Sequence, residues 1–337
     1  IAGADTSSAK LAALPGVTMH TWAVSLDGAN PVHEAGALVR LLNRLRKLRP
    51  AMVFNNGIKA NVYGGLACRA LGLRFVNNIS GLGLRIRRGT RGSAVLARLY
   101  AHASARADAL LIQNPGDLAF LQRHGLPETV PTIRTMGSGV DLERFAYAPL
   151  PPAPPVRVLF VGRLQEDKGI HDFAAAAAEI AATGQDIDFE VSGGVEHANA
   201  GGVAPQTRAS WARDGRMRLS GHQSDVRPFL AAAHALVMPS HGGEGMPKVI
   251  IEAAAMGRPA IVSDIDGCRE SIVPGQTGLL APPRDASALA QAILKFAALS
   301  ESARADMSNA ARAHAEAHFS VAEIVAVYRR LVAAPSR

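Results

Sequence analysis

Two cysteines among 337 residues are too few for a disulfide framework. Cys68 and Cys268 stand far apart and in no metal-ligand spacing, which argues against a zinc site, and the scarcity of thiols fits a reducing compartment. The eleven histidines are scattered, with no H-E-x-x-H pattern among them. Aromatic residues make up 5% of the chain and do not interleave with its basic stretches. With no helix-turn-helix or RNA-motif signature either, nucleic acid is not the expected partner. No apolar run is long enough to span a bilayer. The longest charge-free stretch, "PFLAAAHALVMPSHGG", contains His and Pro and reads as a helix followed by a buried strand. The opening residues, "IAGADTSSAKLAALPGV", carry neither a basic n-region nor an apolar signal core.

What is present is an α/β pattern. The chain is 48% hydrophobic, in short apolar runs separated by helical stretches, and its length suits two domains better than one core. Strands are expected near 51–55, 74–79, 109–113 and 132–136, then near 157–161, 188–192, 217–220, 235–239, 259–263 and 277–280. Between the two groups "AYAPLPPAPPV" (146–156) carries five prolines, can continue neither a helix nor a central strand, and reads as a linker. The initial "IAG" resembles the tail of a buried strand, so at least one N-terminal strand is expected to be missing ahead of it.

Charge is divided unevenly. Residues 1–150 hold 18 Lys and Arg against 8 Asp and Glu; residues 151–337 hold 18 against 20. A basic half beside a near-neutral one suggests a polyanionic partner for the first. One helix of that half is well specified: Asn30 can cap it, Pro31 suits its first position and Pro50 follows its end. Leu38, Leu41, Leu42, Leu45 and Leu48 fall on one face, with Arg40, Arg44, Arg46, Lys47 and Arg49 largely on the other. A solvated face and a membrane-facing one are both compatible with that pattern.

The chemistry concentrates in "HGGEGMPKVIIEAAAMGRP", directly after the buried-strand run "ALVMPS". Gly242, Gly243 and Gly245 permit a tight loop, Pro247 fits the first helical position, and Gly257 can stop the helix. N–H groups over Gly245, Met246, Pro247, Lys248 and Val249 would then surround an anion at the positive end of the helix dipole. Glu244 stands at that rim and Glu252 inside the helix, roughly 7.5 Å further along. That spacing suits a diphosphate held between two polyols; a capping Glu and a half-buried Glu would look the same. "VRVLFVGRLQEDKGIHDF" supplies the complement: a buried strand ending at Gly162, then Arg163 and Lys168, two cations at a strand's C-terminal end, where α/β sheets bind ligands. The turns "VSGGVEH" and "LSGHQSD", with Gly193, Gly221 and His222, also follow strands and could carry a base.

Taken together, "VGRLQEDKGI", "EGMPKVIIEAAAMGRPAIVSDIDGCRESI" and "GQTGLLAPP" resemble the retaining GT-B glycosyltransferases of family 4. "NNGIKANVYGGLACRALG", "NNISGLG", "LIQNPGD" and "GSGVDLERF" are similar to a bacterial subgroup that builds lipid-linked polysaccharide repeats. The resemblance implies two Rossmann-like domains with the active site in the cleft between them. Residues 1–147 would bind the acceptor, 148–155 form the linker, 156–320 bind the nucleotide sugar, and 321–337 form a C-terminal helix able to pack back on the first domain. It implies transfer of a hexose or N-acetylhexosamine from a UDP-sugar to a polyprenyl-diphosphate-linked saccharide, with retention and with neither metal nor cofactor. It also implies a place at the cytoplasmic face of the membrane, against an anionic surface. Arg163 and Lys168 match the pair on the donor diphosphate, Glu244 the carboxylate near the transferred sugar, and Glu252 the one on the ribose. On the acceptor side it points to Lys59, Asn61, Tyr63, Ser80, Gly81, Arg85, Arg87 and Arg88, with Arg91 completing the basic run. Three departures stand out: no Gly-rich loop after a first strand, Ser80 where many relatives carry His, and one extra residue before Glu244 in "SHGGEG". An epimerase of the same fold, or an inactive nucleotide-binding chain, are the competing readings.

Overall fold

The computed structural model of the chain describes residues 11–22, 30–87, 89–195 and 201–335. The "IAG" strand tail and Arg88 lie outside them. Two all-parallel sheets organise the rest. The first orders β1 (Val53–Asn56), β2 (Phe75–Ile79), β3 (Ala109–Ile112) and β4 (Thr132–Arg134) in sequence. The second contains β5 (Val156–Val161), β6 (Ile187–Ser192), β7 (Arg218–Gly221), β8 (Ala235–Met238), β9 (Ala260–Ser263) and β10 (Gly278–Ala281), ordered β10-β9-β8-β5-β6-β7. All ten strands read from the sequence are found, with ends shifted by at most two residues. β3, β8 and β9 are buried along their whole length, as strands covered by helices on both faces must be. In the second sheet β5 lies between β6 and β8, so the winding reverses beside it, and a crevice opens at the strand ends there.

The helices of the first unit are α1 (Pro31–Leu48), α2 (Ile58–Leu71), α3 (Gly83–Arg87), α4 (Arg91–Ser104) and α5 (Pro115–Arg123). Asn30 caps α1, its side chain accepting from the Val32 N–H, and Arg49 ends it in the left-handed conformation. Ala37, Leu41 and Leu45 are buried, whereas Leu48, read as part of the apolar stripe, is 46% exposed in the last turn, beyond the reach of the core.

In the second unit come α6 (Ile170–Ala181), α7 (Pro205–Arg213), α8 (Arg227–Ala232), α9 (Lys248–Ala255), α10 (Ala286–Ala297), α11 (Glu301–His318) and α12 (Val321–Ala333). α12 returns to the first sheet: Val327, Tyr328 and Leu331 pack with Phe54, Val76, Ala109 and Leu111. Arg74 reaches the carbonyls at the end of this helix.

The proline linker has few N–H groups to donate, so the fold must donate to it. Arg258 is fully buried and gives hydrogen bonds to the carbonyls of Ala148 and Pro149 in the linker, of Leu230 and Ala231 in α8, and of Met256. Burial lowers its pKa to about 10, which leaves it protonated at neutral pH. His234, held neutral by burial with its pKa lowered to about 4, accepts from the Arg157 N–H at Nδ1 and donates from Nε2 to the Pro151 carbonyl. Arg258→Ala would strand several buried acceptors at once, each worth about 1–3 kcal/mol, so urea denaturation should show a loss of at least about 3 kcal/mol. A loss below about 1 kcal/mol would mean that water replaces the guanidinium without penalty.

Candidate functional site

The C-terminal ends of β5, β6 and β7 form the floor. The Gly193 N–H donates to the Gly221 carbonyl at 2.8 Å and the Gly162 N–H to the Ser192 carbonyl at 3.1 Å. A Cβ on Gly193 would stand 1.9 Å from the Gly162 carbonyl oxygen, so only glycine fits. Arg163 and His222 are exposed at this rim. The chain then makes a 3₁₀ turn, Glu166–Lys168, and enters α6 through Gly169 at φ +70.

Lys168 and Glu244 meet. Lys168 Nζ lies 2.5 Å from Glu244 Oε1, and Ser240 Oγ donates to the same oxygen at 2.6 Å. Sequence reasoning had given these two residues separate tasks, phosphate and sugar; the structure makes them one ion pair, 17% and 14% exposed. His241 ties the same two loops together, its N–H donating to the Asp167 carbonyl and its Nε2 meeting Asp172 Oδ2 at 2.7 Å.

The helix after Glu244 begins one residue later than expected. Pro247 is the N-cap, in an extended conformation, and Lys248 the first residue of α9. The expected run of donors is also thinner, since Pro247 has no N–H and the Met246 N–H donates to Gln113 Oε1 at 2.9 Å. Lys248 and Val249, in the first turn, have no intrahelical acceptor for their N–H groups. Glu252 points from the second turn, 14% exposed, with Lys248 Nζ at 4.0 Å. Burial raises its carboxyl above the ordinary range, with Lys248 and Arg144 opposing the shift.

The acceptor-side residues do not assemble as one group. Lys59 Nζ pairs with Glu34 Oε1 at 2.6 Å, and the Tyr63 hydroxyl donates to Glu34 Oε2, so these two share one carboxylate. Asn61 is fully buried, donating to the Asn78 carbonyl and the Tyr100 hydroxyl, and belongs to the interior of the first unit. Ser80 and Gly81 press against the Glu244 loop: a Cβ on Gly81 would stand 2.5 Å from the Gly245 nitrogen, and one on Gly245 2.3 Å from the Ser80 carbonyl. Arg85 lies on α3. Arg87, expected on an acceptor or membrane surface, instead bridges two carboxylates, Nη2 to Asp117 Oδ1 at 2.5 Å and Nη1 to Asp266 Oδ2 at 2.9 Å. Asp117 is fully buried, and an isolated charge there would be costly without its cation.

Gln113, Asn114, Asp117, Ser240, His241 and Asp266 were not singled out from the sequence. A polar Gln-Asn pair immediately after the apolar "LLI" of β3 was the available signal. A cavity of about 830 Å³ opens elsewhere, over β5, β6 and β7. Its charges pair among themselves, Arg157 with Asp188 and Arg218 with Glu190.

Residues 155–298 match the family model of group 1 glycosyl transferases. The matched segment runs from β5 to α10 and holds Arg163, Lys168, Glu244 and Glu252. Over 172 residues the chain is 33% identical to glycogen synthase of Mycobacterium tuberculosis, covering 48% of this chain and 39% of the relative. Over 137 residues it is 30% identical to the capsular polysaccharide biosynthesis glycosyltransferase CapM of Staphylococcus aureus, covering 41% and 35%. The matches thus span less than half the length of these curated relatives. Among solved structures, Anabaena HepE in complex with UDP superposes with a TM-score of 0.72 at 16% identity, over 91% of this chain and 85% of that one. The fold is GT-B, two parallel-sheet units facing across a cleft.

The raised Glu252 carboxyl makes a prediction about stability. A carboxyl whose pKa is higher in the folded state binds protons more readily there than in the unfolded chain, so its contribution falls as pH rises through that window. Glu252→Gln removes the titration. Its melting temperature should exceed that of the wild type at pH 7.5, with the gap closing as pH falls toward the ordinary carboxylate value of 4.5. A gap that widened on acidification would reverse the assigned cause.

Proposed function

We propose that the chain is a retaining glycosyltransferase that moves a hexose or N-acetylhexosamine from a UDP-sugar to a polyprenyl-diphosphate-linked saccharide in bacterial cell-surface polysaccharide synthesis. The observation that carries the donor half is the convergence of Lys168, Glu244, Ser240 and the start of α9 at the strand ends of the second sheet, with Glu252 one helical turn on. A diphosphate would lie against the Lys248 and Val249 N–H groups and the cations Arg163 and Lys168, which offset the charge that develops on the departing UDP without a metal. Glu252 would accept the ribose hydroxyls and Glu244 would face the transferred sugar. Retention follows when the acceptor hydroxyl attacks from the face that UDP leaves and a donor phosphate oxygen takes its proton. The UDP named with the HepE structure and the polysaccharide named with CapM are consistent with this donor and product class.

Calorimetric titration with UDP, and with GDP and ADP as controls, tests the donor assignment. UDP should bind selectively and lose at least about tenfold in affinity in Glu252→Ala, a difference of about 1.4 kcal/mol. Binding of no nucleotide, or equal binding of all three, would sink it.

The membrane half of the proposal rests on two outward helix faces. α1 exposes Val32 and Val39 beside Arg40, Arg44, Arg46 and Lys47, and α4 exposes Val95 and Leu99 beside Arg91 and Arg98. Basic residues of this kind contribute about 1 kcal/mol each at an anionic leaflet. No helix among the described residues is long and apolar enough to cross a membrane, so a peripheral attachment at the cytoplasmic face is the form proposed. Co-sedimentation should occur with vesicles containing anionic lipid, weaken with salt, and fall by at least about tenfold when Arg40, Arg44 and Lys47 become Gln. Equal binding to neutral vesicles would remove the electrostatic basis.

A further inference from the structure

The loop that carries Glu244 belongs to the second unit, yet much of its backbone is held by the first. The Met246 N–H donates to Gln113 Oε1 at 2.9 Å. Asn114 Nδ2 donates to the Glu244 carbonyl at 3.2 Å and lies 3.5 Å from that of Gly245. The Gly243 carbonyl accepts from the Gly83 N–H at 3.1 Å. Gln113 is 3% exposed and Asn114 and Asp117 are fully buried, so these are enclosed polar groups for which each lost partner is expensive.

Asn114 is placed by its own neighbourhood. Its Oδ1 accepts from the Asp117 N–H and so caps α5, while its Nδ2 also meets Asp117 Oδ2 at 3.0 Å. Asp117 is fixed in turn by Arg87, whose other arm crosses to Asp266 in the second unit. The chain of contacts thus runs from Asp266 through Arg87, Asp117 and Asn114 to the carbonyl of Glu244.

We infer that Gln113 and Asn114 are positioning residues for Glu244, and that the first unit completes the donor loop by fixing the backbone of residues 244–246 from across the cleft. The inference deepens the donor-site reading of Glu244 and rests on it for its catalytic meaning. The hydrogen bonds themselves do not depend on that reading. A donor carboxylate set this way takes its working orientation only when the two units are docked. Gln113, which lies in the acceptor-side unit, therefore acts on the donor side without touching the donor.

Hydrogen exchange on the whole chain, followed over residues 240–250, tests this. Relative to wild type, Gln113→Met should speed exchange at the Met246 amide by at least about tenfold, the loss of one closed hydrogen bond. Gln113→Glu, which keeps an acceptor at the same reach, should restore protection. UDP affinity should stay within about threefold in both, because the proposed phosphate contacts come from the second unit. Should Gln113→Met fold poorly, Asp266→Asn reads the same coupling from the other end: segments 80–84 and 243–246 should lose protection together. Unchanged exchange at Met246 in Gln113→Met, or a rise spread evenly over the first unit, would overturn the inference. So would Asp266→Asn with both segments unmoved. A wild type that binds no UDP but shows the local exchange pattern would defeat the donor reading and leave the positioning intact.

Discussion

The arrangement depends on backbone touching backbone across the cleft. Segments 80–84 and 243–245 lie so close that side chains cannot intervene, and the loop is closed from beneath as well, since a Cβ on Gly267 would stand 1.7 Å from the Gly245 carbonyl. Real Cβ atoms do not survive at such distances, so the glycines of "SGLG" and "HGGEG" are requirements of the packing. With the Glu244 loop confined between two main chains, its remaining freedom is rotational. Polar side chains remove that: Ser240 and Lys168 from its own unit, Gln113 and Asn114 from the other.

Confinement also sets the electrostatics. Lys168 and Glu244 are mostly buried, where a charge pair is worth keeping only if its other hydrogen-bonding needs are met, and Ser240 helps to meet them. Glu252 has Lys248 at a longer 4.0 Å, and burial leaves its carboxyl raised. The two carboxylates of one loop-helix unit are therefore in different states: one is neutralised and fixed by its partners, the other is kept under tension by desolvation. A group held in that way gains most from a ligand that donates hydrogen bonds to its ionised form, as a pair of vicinal hydroxyls does.

The fold was largely legible in the sequence, and so were the residues on loops after strands. Apolar runs such as "VRVLFV" and "ALVM" are long enough to name a buried strand without alternation, and a Gly or Pro ends each one. The Glu244 to Glu252 spacing is local, so one helix boundary sufficed to place it, and the error of one residue at Pro247 did not move either carboxylate off its element. What stayed hidden was pairing between distant segments. Nothing in "GLRIRRG" says that Arg87 faces Asp117 and Asp266, and the four basic residues of that run look equivalent until the fold separates them. Lys59 and Tyr63 likewise look cleft-facing until Glu34, 25 residues earlier, claims both. Asn61 has the type of a binding residue and the burial of a structural one.

The two units are joined at places of different chemistry. At the linker and at α12 the contacts are anchored, by Arg258 and His234 on the proline carbonyls and by the apolar packing of Val327, Tyr328 and Leu331. At the Glu244 loop they are polar: one guanidinium bridge, two side-chain amides and a backbone hydrogen bond. Separating the units at the loop exchanges those contacts for water at a net of about 0.5–1.5 kcal/mol per hydrogen bond, whereas separating them at α12 exposes apolar area with no such exchange. The weaker seam is therefore the one beside Glu244. A motion that admits a ligand opens there and pivots on the linker and α12, and the contacts broken first are the ones that orient the carboxylate.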